Sequence, residues 1–167
     1  MKRYPPVSVG TVFRDPVHWL AFGFGSGLLR PAPGTWGTLA AVPLYLLLVQ
    51  LPFWAYLVVV VASVAVGVWL CGESARRLHV HDHPGIVWDE FAGFWITMLA
   101  APAGWVWIGI GFVLFRLFDA AKPWPIRWLD RRVPGGLGIM IDDVLAGIFA
   151  LAGLQLVAWG WARYAGV

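Results

Sequence analysis

Nine carboxylates occur in this 167-residue chain, and six of them stand in pairs or beside cations: Asp89-Glu90, Asp119 between Arg116 and Lys122, Asp130 next to Arg131, and Asp142-Asp143. A carboxylate in an apolar sequence is costly unless it is paired, solvated or bound to a cation. Two adjacent acidic pairs at the expected starts of different helices, with a third acid among basic residues, make an oxygen-rich site of the kind that suits Mg²⁺. The neighbouring cations would then hold a phosphate. Plainer roles compete at each position. Asp89 and Asp142, read as helix starts, can cap free amides and meet the positive end of the dipole. Asp119 escapes that explanation, because it falls near the C-terminal end of a helix that Pro123 closes, where the dipole disfavours an anion. Arg116, Asp119 and Lys122 recur every three residues and share one helix face, as either a catalytic grouping or an ion-pair ladder.

Other segments carry weaker signals. The stretch from Ser26 to Thr38 ends in Pro33-Gly34-Thr35-Trp36-Gly37-Thr38, a glycine-threonine turn at a helix start, where free amides and the hydroxyls of Thr35 and Thr38 can form an anion nest. Gly135-Gly136-Leu137-Gly138 reads as a flexible joint. His79, His81 and His83 surround Asp82 in a pattern that suits a transition metal but lacks a fourth group; as a polar interfacial loop it still leaves His83 available as a general acid or base. Cys71 lies in an apolar run and offers neither a disulfide nor an exposed thiolate.

The elements that position these residues are apolar helices. The chain is 60% hydrophobic and only 13% charged, against about 25% charged in ordinary soluble domains. Charged residues are absent from Pro31 to Gly72, from Phe91 to Phe115 and from Val144 to Ala162. Breaks at Gln50-Leu51-Pro52 and at Ala101-Pro102-Ala103-Gly104 divide the first two runs into hairpins. The expected fold is therefore all-α, a polytopic membrane bundle of about five membrane-embedded helices. Two of these, Trp36 to Gln50 and Val87 to Ala101, are short for a full span, and the last runs from Asp142 to Trp161. An interfacial segment follows Pro123, with Trp124, Trp128 and Leu129 on one side and Arg127, Asp130 and Arg131 on another. Residues 1–167 read as one domain, with a cytoplasmic arm over 1–15 and an interfacial, glycine-rich stretch over 16–35. With the uncharged hairpin tips outside, the arm and both charged connections fall inside and Arg163 alone outside, as the positive-inside rule requires. Tryptophans fit the same scheme, with Trp36, Trp69, Trp88, Trp124 and Trp128 at the inner boundary and Trp54, Trp105, Trp107, Trp159 and Trp161 at the outer one. The Lys and Arg residues follow membrane spans, a pattern that argues against nucleic acid as a partner.

Four blocks, in order, resemble the phosphatidylglycerophosphatase A family: Gly23-Phe24-Gly25-Ser26-Gly27 through Pro33-Gly34-Thr35-Trp36-Gly37-Thr38; Ile86-Val87-Trp88-Asp89-Glu90-Phe91; Phe115-Arg116-Leu117-Phe118-Asp119 through Lys122-Pro123-Trp124-Pro125-Ile126-Arg127; and Gly135-Gly136-Leu137-Gly138-Ile139-Met140-Ile141-Asp142-Asp143. The resemblance runs from about Phe22 to Gly147. It implies a mostly helical, Mg²⁺-dependent enzyme of the bacterial inner membrane that removes the terminal phosphate of phosphatidylglycerophosphate to give phosphatidylglycerol. Carried over by position, it points to Asp89, Glu90, Asp119, Lys122, Asp142 and Asp143 as catalytic, the five acids as metal ligands, and Arg116, Lys122, Thr35, Thr38 and His83 as substrate-side candidates. Attack by water and an aspartyl-phosphate on Asp119 or Asp89 both fit the residues. The spaced four-aspartate signature of CDP-alcohol phosphotransferases is absent, as is the lysine-arginine and paired-histidine set of histidine-based lipid phosphatases. The alternative from another class is a non-enzymatic small membrane protein, a cation-binding transporter or assembly factor. A transporter would place its acids near mid-membrane, whereas these gather at helix ends. The sequence leaves the oligomeric state open.

Overall fold

A computed structural model describes residues 7–130 and 132–165, and among them every regular element is helical. The order is α1 (Val9–Arg14), α2 (Pro16–Ala21), a 3-10 segment (Gly23–Leu28), α3 (Pro33–Leu48), α4 (Phe53–Arg77), α5 (Trp88–Thr97), α6 (Trp105–Ala121), α7 (Ile126–Asp130) and α8 (Gly135–Ala165). Residues 1–6 of the expected arm lie outside the described residues, as do Arg131 and the side chain of Asp130, so the Asp130–Arg131 pair does too.

The centre of the bundle is α5, eight of whose ten residues are buried. It packs against α8 at a distance that only glycine allows. A Cβ on Gly147 would sit 2.5 Å from the Gly93 carbonyl oxygen, and one on Gly93 would sit 2.8 Å from that of Asp143. Small residues let apolar helices approach closely where no hydrophobic drive separates protein from lipid. Thr97 reinforces the crossing, its hydroxyl directed at the carbonyls of Gly93 at 3.0 Å and Gly147 at 3.4 Å. Glu90 lies about one turn before Gly93, and Asp143 about one turn before Gly147. The glycine crossing thus brings these two acids together at one end.

At that end meet the starts of α3, α5 and α8 and the ends of α4 and α6. At the other end Gln155 of α8 donates to the carbonyls of Leu99 and Ala100, both at 3.1 Å, closing the α5–α6 tip. Both tips fall where the prolines place them: α3 stops at Leu48 before α4 opens at Phe53, and α5 stops at Thr97 before α6 opens at Trp105.

The shortness expected of the Trp36–Gln50 and Val87–Ala101 helices is found, but the number of candidate spans differs from expectation. Among the described residues five helices have ten residues or more, but two, not five, are long and apolar enough to cross a membrane: α4 with 25 residues and α8 over Gly135–Tyr164 with 30. Helices α3, α5 and α6 have 16, 10 and 17 residues, below the roughly 20 that a bilayer core asks for. The outer faces remain apolar, with Leu57, Val58, Val61, Val66 and Trp69 of α4, Val106 and Val113 of α6, and Leu156 and Trp159 of α8 all exposed. So large an apolar surface is expensive in water and ordinary against lipid. Trp88 departs from the expected belt: it is half-buried, stacked on Phe91 with ring centroids 5.7 Å apart, and donates to the Ser63 carbonyl at 3.2 Å.

Candidate active site

Helix α8 begins at Gly135, not at Asp142, so the glycine-rich run is its first turn. Asp142 and Asp143 then lie two turns inside, buried, where no free amides need capping. The capping role that Asp142 shared with Asp89 falls away. Asp89 keeps a local one, since its Oδ1 accepts from the Glu90 amide at 3.0 Å in the first turn of α5.

Glu90, Asp119 and Asp143 converge from α5, α6 and α8, with one ligand oxygen from each lying within 4.8 Å of the others. Among the described residues this is the grouping of metal-type ligands that forms, and it contains no histidine. Three oxygen donors from three helices suit a hard divalent cation. Arg116 stands over two of them, ion-paired with Glu90 and with Asp119, the latter at 3.0 Å. Thr38, fully buried, donates to Glu90 Oε2 at 3.0 Å and to the Gly34 carbonyl at 2.9 Å. Three helices, α3, α6 and its own α5, therefore fix the position of Glu90.

The first turn of α3 closes over this group. Ala32 adopts a left-handed conformation with φ 58°, and Pro33 enters the helix at its start, where its missing N–H is no loss. Gly34 lies directly against Glu90. Thr35, half-buried in the same turn, has its amide bonded to the Ala32 carbonyl at 3.0 Å.

Asp89 and Asp142 are adjacent to the triad rather than part of it. Asp89 is within electrostatic reach of Glu90, Asp142 and Asp82. Asp143 is within reach of Glu90, Asp89, Asp119 and Asp142. Lys122 caps α6 in a left-handed conformation with φ 40°, which swings its ammonium to Asp142. The expected ladder along α6 is thus half right: Arg116 pairs with Asp119, but Lys122 crosses to α8. Glu90, Asp119 and Asp143 lie around Arg116 and Asp142 is on Lys122, with Asp89 beside Glu90, an excess of carboxylates that a divalent cation would offset in part.

His83 sits elsewhere. It is buried, its Nδ1 accepts from the Gly85 amide at 3.0 Å, and it lines a largely apolar cavity of about 550 Å³ with Phe22, Leu28, Arg30 and Pro33. His79 and His81 are exposed.

Two features were not singled out by spacing. Gly34 is needed for the approach to Glu90, and only its place in the quoted Pro-Gly-Thr turn hinted at it. His18 is buried in a second polar cluster, its Nδ1 2.9 Å from Ser74 Oγ, with Asp15 3.8 Å from Nε2 and bridged to Arg77 at 2.6 Å. Burial pushes the His18 pKa down from its ordinary 6.5, against the pull of Asp15.

Described residues that are helical in every regular element, two helices long and apolar enough to cross a membrane, and a carboxylate triad that could hold a metal ion define a class, that of apolar helical proteins with a candidate cation site. Comparison with known proteins then specifies the family. The family described as Phosphatidylglycerophosphatase A matches residues 19–158. Phosphatidylglycerophosphatase A of Escherichia coli (strain K12) is 51% identical over 148 residues, covering 88% of this chain and 86% of that protein. Phosphatidylglycerophosphatase A of Haemophilus influenzae (strain ATCC 51907 / DSM 11121 / KW20 / Rd) is 48% identical over 139 residues, covering 82% and 85%. No solved structure matches. The chain belongs to the phosphatidylglycerophosphatase A family.

Proposed function

We propose that this chain is a phosphoric monoester hydrolase that removes the terminal phosphate of phosphatidylglycerophosphate to give phosphatidylglycerol, a step of phospholipid synthesis, at a Mg²⁺ site facing the cytoplasm of a bacterial inner membrane. The observation that carries it is the convergence of Glu90, Asp119 and Asp143 beside Arg116. The names of the two relatives supply the substrate.

Glu90, Asp119 and Asp143 would hold Mg²⁺, with Asp89 and Asp142 close by; when bound, the ion would polarise the phosphoryl group and lower the pKa of an attacking water. The chain's own residues do the rest. Arg116, fixed by two carboxylates, has guanidinium donors left for phosphoryl oxygens, whose monoester carries close to two negative charges at neutral pH. Thr38 holds the Glu90 carboxylate in place through its hydroxyl, so it acts as a positioning residue. Lys122, tied to Asp142, adds positive charge beside the phosphoryl group that is transferred to water. In hydrolysis the bond between phosphorus and the glycerol oxygen breaks, that oxygen takes a proton, and water supplies the new oxygen on phosphate.

In the membrane, α4 and α8 span, while α3, α5 and α6 are embedded around them. Residues 7–15 and 16–35 lie at the cytoplasmic interface of one domain. The positive charge supports this orientation: Arg76, Arg77, Arg116, Lys122, Arg127 and Arg132 belong to the site end, and Arg163 to the other. The test is release of inorganic phosphate from phosphatidylglycerophosphate by the purified, detergent-solubilised chain. Release with Mg²⁺ that stops with a chelator is expected; no release under any divalent cation would refute the activity.

A further inference from the structure

Beyond the carboxylate triad, a second cavity of about 480 Å³ opens at the same end, lined by Ala121, Lys122, Pro123, Trp124, Arg127, Trp128 and Arg132. We propose that it binds the internal phosphodiester of the lipid whose terminal phosphate sits at the triad. The inference rests on the proposed lipid phosphatase activity and adds a substrate-positioning site to it.

Three observations carry it. The first is charge. Lys122, Arg127 and Arg132 line one cavity, and with Lys122 already paired to Asp142 the two arginines bring the positive charge that draws an anion there. Arg127 is oriented rather than loose, since it donates to the Ala121 carbonyl at 3.2 Å. Arg132 lies over the Trp128 ring, 4.4 Å from its centroid, a geometry that keeps the guanidinium edge available for phosphate oxygens.

The second is anchoring. Helix α7 is only five residues long, yet it is held by Ile126, which is completely buried in the main core. Trp124 and Trp128 point outward, 81% and 46% exposed. Indoles exposed beside arginines suit the headgroup level of a bilayer, where one face is apolar and the other wet. The cavity therefore opens where a lipid headgroup lies.

The third is continuity with the triad. Lys122 lines this cavity and is ion-paired with Asp142, the direct neighbour in sequence of the triad residue Asp143. Phosphatidylglycerophosphate carries two phosphates joined through one glycerol. A monoester at the triad places the diester a glycerol away, and the Lys122 side offers a cavity of that kind, lined by Lys122, Arg127 and Arg132. Neutral or zwitterionic lipids lack the net charge that such a lining selects.

The test uses the full chain in detergent. Phosphatidylglycerol, which has the diester and no monoester, should raise the melting temperature of the wild type, while phosphatidylcholine and inorganic phosphate should not. Arg127→Gln combined with Arg132→Gln should remove that shift and raise KM for phosphatidylglycerophosphate by about tenfold or more, with a smaller change in kcat, as expected for lost charge-assisted hydrogen bonds. Arg127→Lys should recover part of the affinity. Arg163→Gln, which breaks a similar arginine–tryptophan stack at the opposite end, should leave both readouts unchanged. Undiminished lipid stabilisation and KM in the double variant would overturn the proposal, and so would equal stabilisation of the wild type by inorganic phosphate or phosphatidylcholine. If the wild type released no phosphate at all, the hydrolase assignment would fail, and the phosphatidylglycerol shift together with its loss in the double variant would still decide whether this cavity binds an anionic phosphodiester lipid.

Discussion

Gly34 and Glu90 are in contact so close that a Cβ on the glycine would fall 1.9 Å from Glu90 Oε1 and 3.3 Å from an Arg116 guanidinium nitrogen. The first turn of α3 is thus a wall of the carboxylate site, and the absence of a side chain there sets where Glu90 can be. Gly34→Ala forces the carboxylate or the helix to move. A misplacement of about 1 Å costs on the order of a hundredfold in rate, so turnover should fall by about that much. Kinetics and thermal melting of the variant, measured together, check this: unchanged turnover would mean that Glu90 has no exacting position to keep.

Lys122 and Asp142 separate a structural from a chemical role. If the ion pair only ties α6 to α8, replacing both partners by Met and Asn should restore stability and activity together, since the cost of a broken buried pair is the stranded charge. The expected result is different. The double variant should melt near the wild type while phosphate release stays reduced by at least about tenfold, because Lys122 also meets the substrate.

Acid should loosen the N-terminal helices. His18 faces Asp15, Ser74, Glu73 and Arg77, and its lowered pKa, set first by burial, means that the fold prefers the neutral ring. Below its ordinary value of 6.5 the unfolded chain binds a proton that the native one resists, so stability is full above that pH and declines as pH falls through it. Asp15 acts only in a far more acidic range: burial opposes its ionisation, but Arg77, the Val17 amide and His18 outweigh it and hold its pKa below 3.8. Thermal melts at about pH 7.5 and about pH 5.5 should differ for the wild type and converge in His18→Gln. An equal difference in both proteins would assign the effect to other groups.

Orientation is open to chemical labelling. Single cysteines at Gln50 and Ala103, on the two tips, should react with an impermeant thiol reagent applied from outside intact cells, and one at Pro134 should not. Cys71 is buried and is best replaced first. Labelling of Pro134→Cys from outside would invert the assignment of the site end to the cytoplasm.

Much of this arrangement is legible in the residues, because the strongest signals are chemical and local. Prolines at 43 and 52 show the contrast. Pro52 precedes α4 and marks the tip, while Pro43 sits inside α3 without ending it, since an apolar environment favours keeping helical hydrogen bonds. Asp119 was conspicuous because a helix dipole does not explain it, and it is one of the three converging acids. Helix α8 starts seven residues before Asp142, where the sequence suggests it begins, because glycines that look like a joint are there for packing: a Cβ on Gly136 would lie 1.8 Å from the Val68 carbonyl oxygen. The uncharged runs suggest more spans than the two helices that reach crossing length, for a related reason. Absence of charge marks residues shielded from water, and in α5 the shield is protein on all sides. The partner of Lys122 was invisible, since helical spacing assumes that the helix continues and Lys122 leaves it.

The central claim is that Glu90, Asp119 and Asp143 form a single divalent-cation site that phosphate release requires. The most direct measurement is the Mg²⁺ dependence of phosphatidylglycerophosphate hydrolysis in Glu90→Gln, Asp119→Asn and Asp143→Asn, each first shown to be folded in detergent. The account predicts a loss of about a hundredfold or more in each variant, and for any residual activity a shift of the Mg²⁺ requirement to higher concentration. Near-normal turnover at an unchanged Mg²⁺ requirement in all three would contradict it and place the chemistry elsewhere.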